Sequence, residues 1–296
     1  MTPRDRAERP GRVLVTNDDG IDSPGLTVLV RAALARGHEV VVAAPAEQYS
    51  GASASLAGEE VDGRISLVHR DPPGLPPGVL SIGVRAAPAL ITFLAGYGAF
   101  GPPPRYVMSG VNLGANTGRA TLHSGTVGAA LSATTHGIRS MAVSIASGAP
   151  QHWDTAELVA GHALAWLEAN DPGDGVLNVN VPDIAPDRLR GLRPAALASF
   201  GAVQAQVRRV GEEQVQVSYS AEEAREEPES DHYLLSRGWA TVTLLRAPVA
   251  AVGGPPLPTF EGAAPAPSDD APIAVDAARV MTSRAAPSAA GPREHA

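Results

Sequence analysis

Short apolar runs alternate with longer stretches of helical apolar spacing through the first 180 or so positions. Arg12 to Thr16 is a short, mostly apolar run that predicts a buried parallel strand. Pro24 to Arg36 repeats its apolar residues at helical spacing, with Ser23 as N-cap, Pro24 in the first turn and Gly37 as the stop. Glu39 to Ala44 is a second buried strand, ended by Pro45. A β-α-β unit of this kind implies a right-handed crossover and a parallel sheet. Further along, residues 64–69, 79–83, 105–108, 142–145 and 176–181 carry strand patterns. Residues 87–97 and 155–169 carry helix patterns, and a small-residue helix opens after His123. The segment Ser109 to Gly118 is expected as a long polar loop.

After Pro182 the spacing changes to β-like alternation over 190–220, notably Gln214 to Tyr219, then an acidic stretch to Asp231 and a late strand at 239–245. The predicted fold is α/β: a Rossmann-like, doubly wound, mostly parallel sheet in three α/β/α layers, with a C-terminal β-hairpin extension. Its expected limits are a disordered lead-in over 1–11, an α/β domain over 12–252 with the β extension at about 190–248, and a disordered Pro/Ala-rich tail over 253–296.

Composition narrows the function classes. The chain has 296 residues, 44% hydrophobic and 18% charged, which suits a globular protein. No apolar run reaches the ~18 residues of a membrane span, and residues 1–11 lack the apolar core of a secretory signal. No cysteine is present, so disulfides, thiolate catalysis and Cys-ligated zinc are excluded, in keeping with a cytoplasmic protein. No lysine is present either, which excludes a Schiff-base lysine and a P-loop lysine. A net charge of −8 argues against binding to a nucleic-acid polymer.

The first strand ends in Asn17-Asp18-Asp19-Gly20. Ligand sites in open α/β sheets lie at the carboxyl ends of strands. Two adjacent acids there repel each other, and a hard divalent cation would offset that cost. The plainer alternative makes Asp18 the cap of the next helix and Asp19 a solvated turn residue. The Ser50-Gly51-Ala52-Ser53 loop and the Ser109 to Gly118 segment also follow strands and would reach the same edge. Together they supply an all-oxygen donor set, suited to Mg²⁺ or Mn²⁺ rather than structural zinc. Ser124-Gly125-Thr126 stands at a helix start, where free N–H groups suit a phosphate. Each piece alone has an ordinary structural explanation: Asn112 and Asn116 as turn residues, Ser124 as a cap, Ser50 as a solvated loop residue. His123 is a weaker candidate for a phosphate contact or general acid, and His38, His69 and His152 carry no assignment.

In combination, T-N-D-D-G-I at 16–21, A-A-P at 43–45, S-G-A-S at 50–53, S-G-V-N-x-G-x-N-x-G at 109–118, H-S-G-T-V at 123–127 and L-N-V-N-V-P at 177–182 resemble the SurE family of survival-protein nucleotidases. The resemblance covers residues 12–182 well and 183–248 loosely. It implies a metal-dependent phosphomonoesterase that acts on nucleoside monophosphates, with one Mg²⁺ or Mn²⁺ per subunit. By motif, Asp18, Asp19, Ser50 and Asn112 match the family's metal ligands, with Asp18, Asp19 and Asn112 as the catalytic set. Asn116, Ser124, Gly125 and Thr126 match its phosphate-binding elements. It also implies assembly through a β arm, giving a homodimer or homotetramer. The chain departs from the family at Gly83 to Leu90, at Arg119-Ala120 in place of an acidic pair, at Ser132 in place of a glutamate, at Ala115 for a common proline and at Tyr49 for a common basic residue.

Two other enzyme classes match the residues less well. The 36–45 segment resembles a strand of a nucleotide-sugar glycosyltransferase, but residues 183–252 are too few and too β-like for that enzyme's second Rossmann domain. A haloacid-dehalogenase phosphatase needs Asp-x-Asp, whereas Gly20 stands two positions after Asp18. The alternative is a diverged SurE-like protein, either with an altered phosphate-ester substrate or with a non-catalytic nucleotide-binding or assembly role, and the departures around the pocket keep it open.

Overall fold

A computed structural model describes residues 10–199, 204–210, 214–220 and 227–248. The tail expected over 253–296 and most of the lead-in expected over 1–11 lie outside the described residues. Gly11 is already fixed: its N–H donates to His38 Nδ1 at 3.0 Å and its carbonyl accepts from Glu39 N at 3.2 Å.

The strands are β1 (Arg12–Thr16), β2 (Glu39–Pro45), β3 (Glu60–Val61), β4 (Arg64–Ile65), β5 (Leu67–Val68), β6 (Leu80–Val84), β7 (Tyr106–Leu113), β8 (Arg139–Ile145), β9 (Gly175–Val181), β10 (Leu192–Pro194), β11 (Gln204–Val210), β12 (Gln214–Ser220) and β13 (Ala240–Arg246). The α-helices are α1 (Pro24–Leu34), α2 (Pro88–Gly96), α3 (Gly125–Thr134), α4 (Trp153–Ala169) and α5 (Asp231–Leu235).

Nine strands form the main sheet in the order β10-β13-β9-β8-β7-β1-β2-β6-β5. The six from β6 to β9 through β1 run parallel, and β5 and β13 pair antiparallel to them. β1 lies between β2 on one side and β7 on the other, so the chain reverses its direction of travel across the sheet there. Doubly wound sheets bind ligands at such a switch point.

Side chains alternate across the sheet. Val13 and Val15 join Leu26, Leu29, Val159 and Leu164 under α1 and α4, while Leu14 points to the opposite layer with Val41, Ile82 and Ile91 beneath α2. The Ser23 hydroxyl accepts the Gly25 N–H at 3.4 Å, and Pro24 occupies the first turn, as the sequence predicts.

Two expectations change. The polar loop expected over 109–118 is strand as far as Leu113: β7 keeps its parallel pairing with β8 through Asn112 and Leu113, after a register shift between Ser109 and Asn112. Ser109, Gly110 and Val111 are buried, and β8 pairs with Ser109 on one side of the irregularity and with Asn112 and Leu113 on the other, so the strand carries on across it. A cis peptide joins Gly110 to Val111 within this irregularity. The extension expected over 190–248 divides. β10 and β13 become part of the main sheet, whereas β11 and β12 pair antiparallel as a separate hairpin. The physical reason is that Ala240 and Thr241 are buried against β9 and share the main core.

Candidate active site

Asp18 and Asp19 follow β1 at the switch point. Asp18 is buried, only 3% exposed, so it is no surface-edge group. It does not cap α1, whose cap is Ser23. Instead it meets the start of α3: the Thr126 hydroxyl donates to its Oδ1, and the backbone N–H groups of Gly125 and Thr126 act on it. A Cβ on Gly125 would lie 2.8 Å from Asp18 Oδ2, so only glycine allows the helix this close to the acid. Burial raises the Asp18 carboxyl above its ordinary range, and the donors from α3 offset part of that rise.

Asp19 is half-buried. Loss of solvation, followed by the charge of Asp18, pushes its carboxyl up to about 6, while the Leu113 N–H, 3.2 Å from Oδ2, acts the other way. Asn17 braces the turn between them and α1, with its side-chain amide bonded to the backbone N–H and carbonyl of Gly20.

The loops that carry the other candidates converge here by backbone contact. The Tyr49 N–H donates to the Asp18 carbonyl at 2.8 Å, which brings Ser50 beside the acids. The exposed Ser50 hydroxyl accepts from Gln48 Nε2 at 2.9 Å. Asn112 stands at the end of β7, next to the Leu113 N–H that reaches Asp19. Its side-chain N–H donates to the Gly114 carbonyl at 2.8 Å, so the amide oxygen is the atom it has to offer a cation. Ser124 caps α3 by accepting the Val127 N–H at 3.2 Å. The Thr126 hydroxyl and the Gly125 and Thr126 N–H groups all act on Asp18, and the Ser124 N–H donates to the Thr121 carbonyl at 3.2 Å, so the positive end of this helix already faces one anion, the Asp18 carboxylate. His123 is exposed at the end of a 3₁₀ turn over Gly118–His123.

Asn116 is held from both sides. Asn180 accepts its backbone N–H at 2.8 Å, Asn178 and Asn180 donate to its carbonyl at 2.9 and 3.0 Å, and its side chain donates to Ser144 at 2.8 Å. Asn178 and Asn180 belong to the L-N-V-N-V-P motif but carried no assigned role, and Ser144 was not singled out. The signal was there: two asparagines at i and i+2 on a wholly buried strand must face the same partner. Asp231, fully buried at the start of α5, likewise carried no assignment. It accepts the N–H groups of Gly118 at 2.8 Å and Ala198 at 3.0 Å.

The donor set fits a hard divalent cation. Two carboxylates held above their usual pKa by burial and mutual repulsion would be relieved by positive charge, and the neighbouring candidates are oxygen donors. Among the described residues no group of three or more His, Asp or Glu side chains forms a metal cluster. Among the described residues no helix is long and apolar enough to cross a membrane.

This arrangement has relatives. The chain is 37% identical over 238 residues to the 5'-nucleotidase SurE of Methylococcus capsulatus, covering 79% of this chain and 90% of that one. It is 38% identical over 191 residues to the 5'-nucleotidase SurE of Xanthomonas euvesicatoria, covering 64% of this chain and 70% of that one. The crystal structure of the SurE protein from Aquifex aeolicus superposes with a TM-score of 0.66 at 27% identity, over 79% of this chain and 93% of that one. The family described as Survival protein SurE matches residues 13–204, a span holding the paired acids, the β7 asparagine and the α3 helix start alike, and the chain belongs to that family.

Proposed function

We propose that the protein is a 5'-nucleotidase: a divalent-metal-dependent phosphomonoesterase that hydrolyses nucleoside monophosphates to nucleoside and phosphate. The observation that carries this reading is the placement of Asp18 and Asp19 at the switch point with the N-terminus of α3 directed at the same spot. Asp18, Asp19, Asn112 and Ser50 would hold one Mg²⁺ or Mn²⁺. When bound, the cation polarises the phosphoryl group and lowers the pKa of water.

The residues of the chain do the rest. Thr126 and the α3 N–H groups orient Asp18 and offset part of the rise that burial imposes on its carboxyl. The Leu113 N–H fixes Asp19. Asn116, pinned by β8 and β9, would contact the phosphate, and the positive end of α3 at 124–126 would attract it. Water attacks phosphorus as the ester P–O bond breaks, and a proton given up by that water ends on the departing nucleoside oxygen. Phosphate release from nucleoside monophosphates and from simple phosphate esters, with Mg²⁺, Mn²⁺ or EDTA, tests the reading. Metal-dependent release supports it. Nucleotide binding without turnover would favour the non-catalytic alternative.

The hairpin supports a homodimer or a dimer of dimers. β11 and β12 pair with each other and join no other strand among the described residues, and isolated two-stranded ribbons are marginal in water. A second copy of the chain is the partner we propose. Sedimentation of the full chain and of a variant with 204–220 replaced by a short Gly/Ser linker decides it. A monomeric full chain, or an oligomer untouched by the replacement, overturns the arm.

A further inference from the structure

One cavity beside the carboxylates has no part in the metal or phosphate reading. It measures about 380 Å³ and opens where the chain leaves β7 and β8. Gly114 and Ala115 form one wall, Ser147 a second, and His232, Leu235 and Ser236 at α5 the third. That volume lies within the ~300–1,000 Å³ of small-molecule sites, and the lining mixes apolar surface with a few polar groups, as such sites do.

The cavity adjoins the acids through a short, rigid path. The Leu113 N–H sits on Asp19, Gly114 is the next residue, and the Gly114 carbonyl accepts from Asn112. The walls are fixed as well. The Gly114 N–H donates to the Ile145 carbonyl at 3.0 Å, tying the first wall to the end of β8. Asp231 clamps the start of α5 to Gly118 on the loop after β7, and so sets His232 over that loop. His232 is half-buried, and its imidazole has no hydrogen-bond partner among the described residues. The Ser147 oxygen accepts the Ala149 N–H at 3.2 Å, which leaves its own O–H as a donor toward the cavity.

We propose that this cavity receives the nucleoside of the substrate, with His232 contacting the base and Ser147 bonding a ribose hydroxyl. The proposal rests on the nucleotidase reading, because it places the leaving group of that reaction. A planar imidazole beside Leu235 and Ala115 offers a face and an edge to an aromatic base. The base is therefore held by α5, an element far in sequence from the metal and phosphate motifs.

The test compares AMP with methyl phosphate, an ester that lacks the nucleoside, in the wild type, His232→Ala and Ala115→Leu. Adenosine binding to the metal-free proteins is measured alongside by calorimetry. Both variants are expected to raise KM for AMP roughly tenfold, the factor of one lost aromatic or hydrogen-bonding contact, with kcat little changed. Adenosine affinity should fall by a similar factor, and KM for methyl phosphate should not follow. Equal effects on the two esters, or adenosine binding that neither variant weakens, would overturn the proposal. If the wild type hydrolyses neither ester, the nucleotidase reading fails. The cavity then stands if adenosine still binds in a manner sensitive to His232→Ala, and falls if it does not.

Discussion

The backbone N–H of Leu113 donates to the Asp19 carboxylate at 3.2 Å. This bond joins the acid after β1 to the end of β7, the strand across the switch point, and makes the pair of strands a single platform. An acid supported by a rigid backbone donor keeps its position whether or not a cation is present. The chemistry of the site follows from the charge gathered on that platform.

Replacing Asp18 or Asp19 with asparagine keeps the shape and removes one charge. Metal affinity and phosphate release should each fall by at least ~100-fold, more than the loss seen when only a supporting residue is changed. Asn in place of Asp18 still accepts from Thr126, so the thermal midpoint should change little. Calorimetric metal titration with a phosphate-release assay checks both. Full metal-dependent activity in the two variants would remove these residues from the site.

Thr126→Val deletes the hydroxyl donor while keeping the side-chain volume. The buried Asp18 carboxylate then loses a hydrogen bond to its charged form and its pKa rises further. Metal affinity should drop by about 10–100-fold, and Thr126→Ser should restore most of it. Parallel titrations of the two variants provide the comparison. Equal loss in Val and Ser would point to packing rather than the hydroxyl.

Asp19 titrates at about 6, so protons compete with the cation below that pH. Metal affinity should weaken steadily as pH falls through 6 and level off above it. Without metal, the folded state binds more protons than the unfolded state between about 4 and about 6, and fold stability declines as pH rises across that window. Saturating metal should reverse this decline, since it favours the ionised pair. Thermal melts at pH 4.5 and 6.5, with and without Mn²⁺, test the signs.

At the opposite end of the sheet, Glu168 accepts from Arg36 Nε at 2.6 Å and pairs with buried His38 at 2.8 Å. Burial alone would raise the Glu168 carboxyl. The bonds from Arg36 and His38 outweigh it and hold the carboxyl below its ordinary range. A lowered carboxyl adds stability above the unfolded-state value of ~4.3, and that stability is lost as pH falls below it. Glu168→Gln should cost on the order of 1 kcal/mol at neutral pH, kept small by the exposure of Arg36, and should flatten the acid limb of the stability curve. Urea unfolding at pH 7 and at pH 3.5 measures both. Because this network lies away from the acids, metal affinity should stay unchanged.

The amino-acid sequence alone determined the β-α-β start, the Ser23 cap, the strand at Arg12–Thr16 and the order of the polar motifs. These depend on periodicity and on residue preferences within a few positions, which a linear reading captures. It also placed the paired acids, since an apolar run ending in two carboxylates is a local pattern. It missed the continuation of β7 through Leu113, because Ser109, Gly110 and Asn112 carry no strand signature; the strand persists through pairing with β8.

Only the tertiary structure decided what each polar group faces. Thr126 stands 108 residues from Asp18, Asn180 stands 64 from Asn116, and Asp231 stands 113 from Gly118. A buried carboxylate or amide must find a partner, but nothing in its own segment says which distant donor supplies it. The sheet order fixes that choice by bringing the ends of β1, β7, β8 and β9 to one edge. Asp18 thereby changes from a turn acid into a buried, hydrogen-bonded one, and His232 comes to stand over the cavity at the ends of β7 and β8.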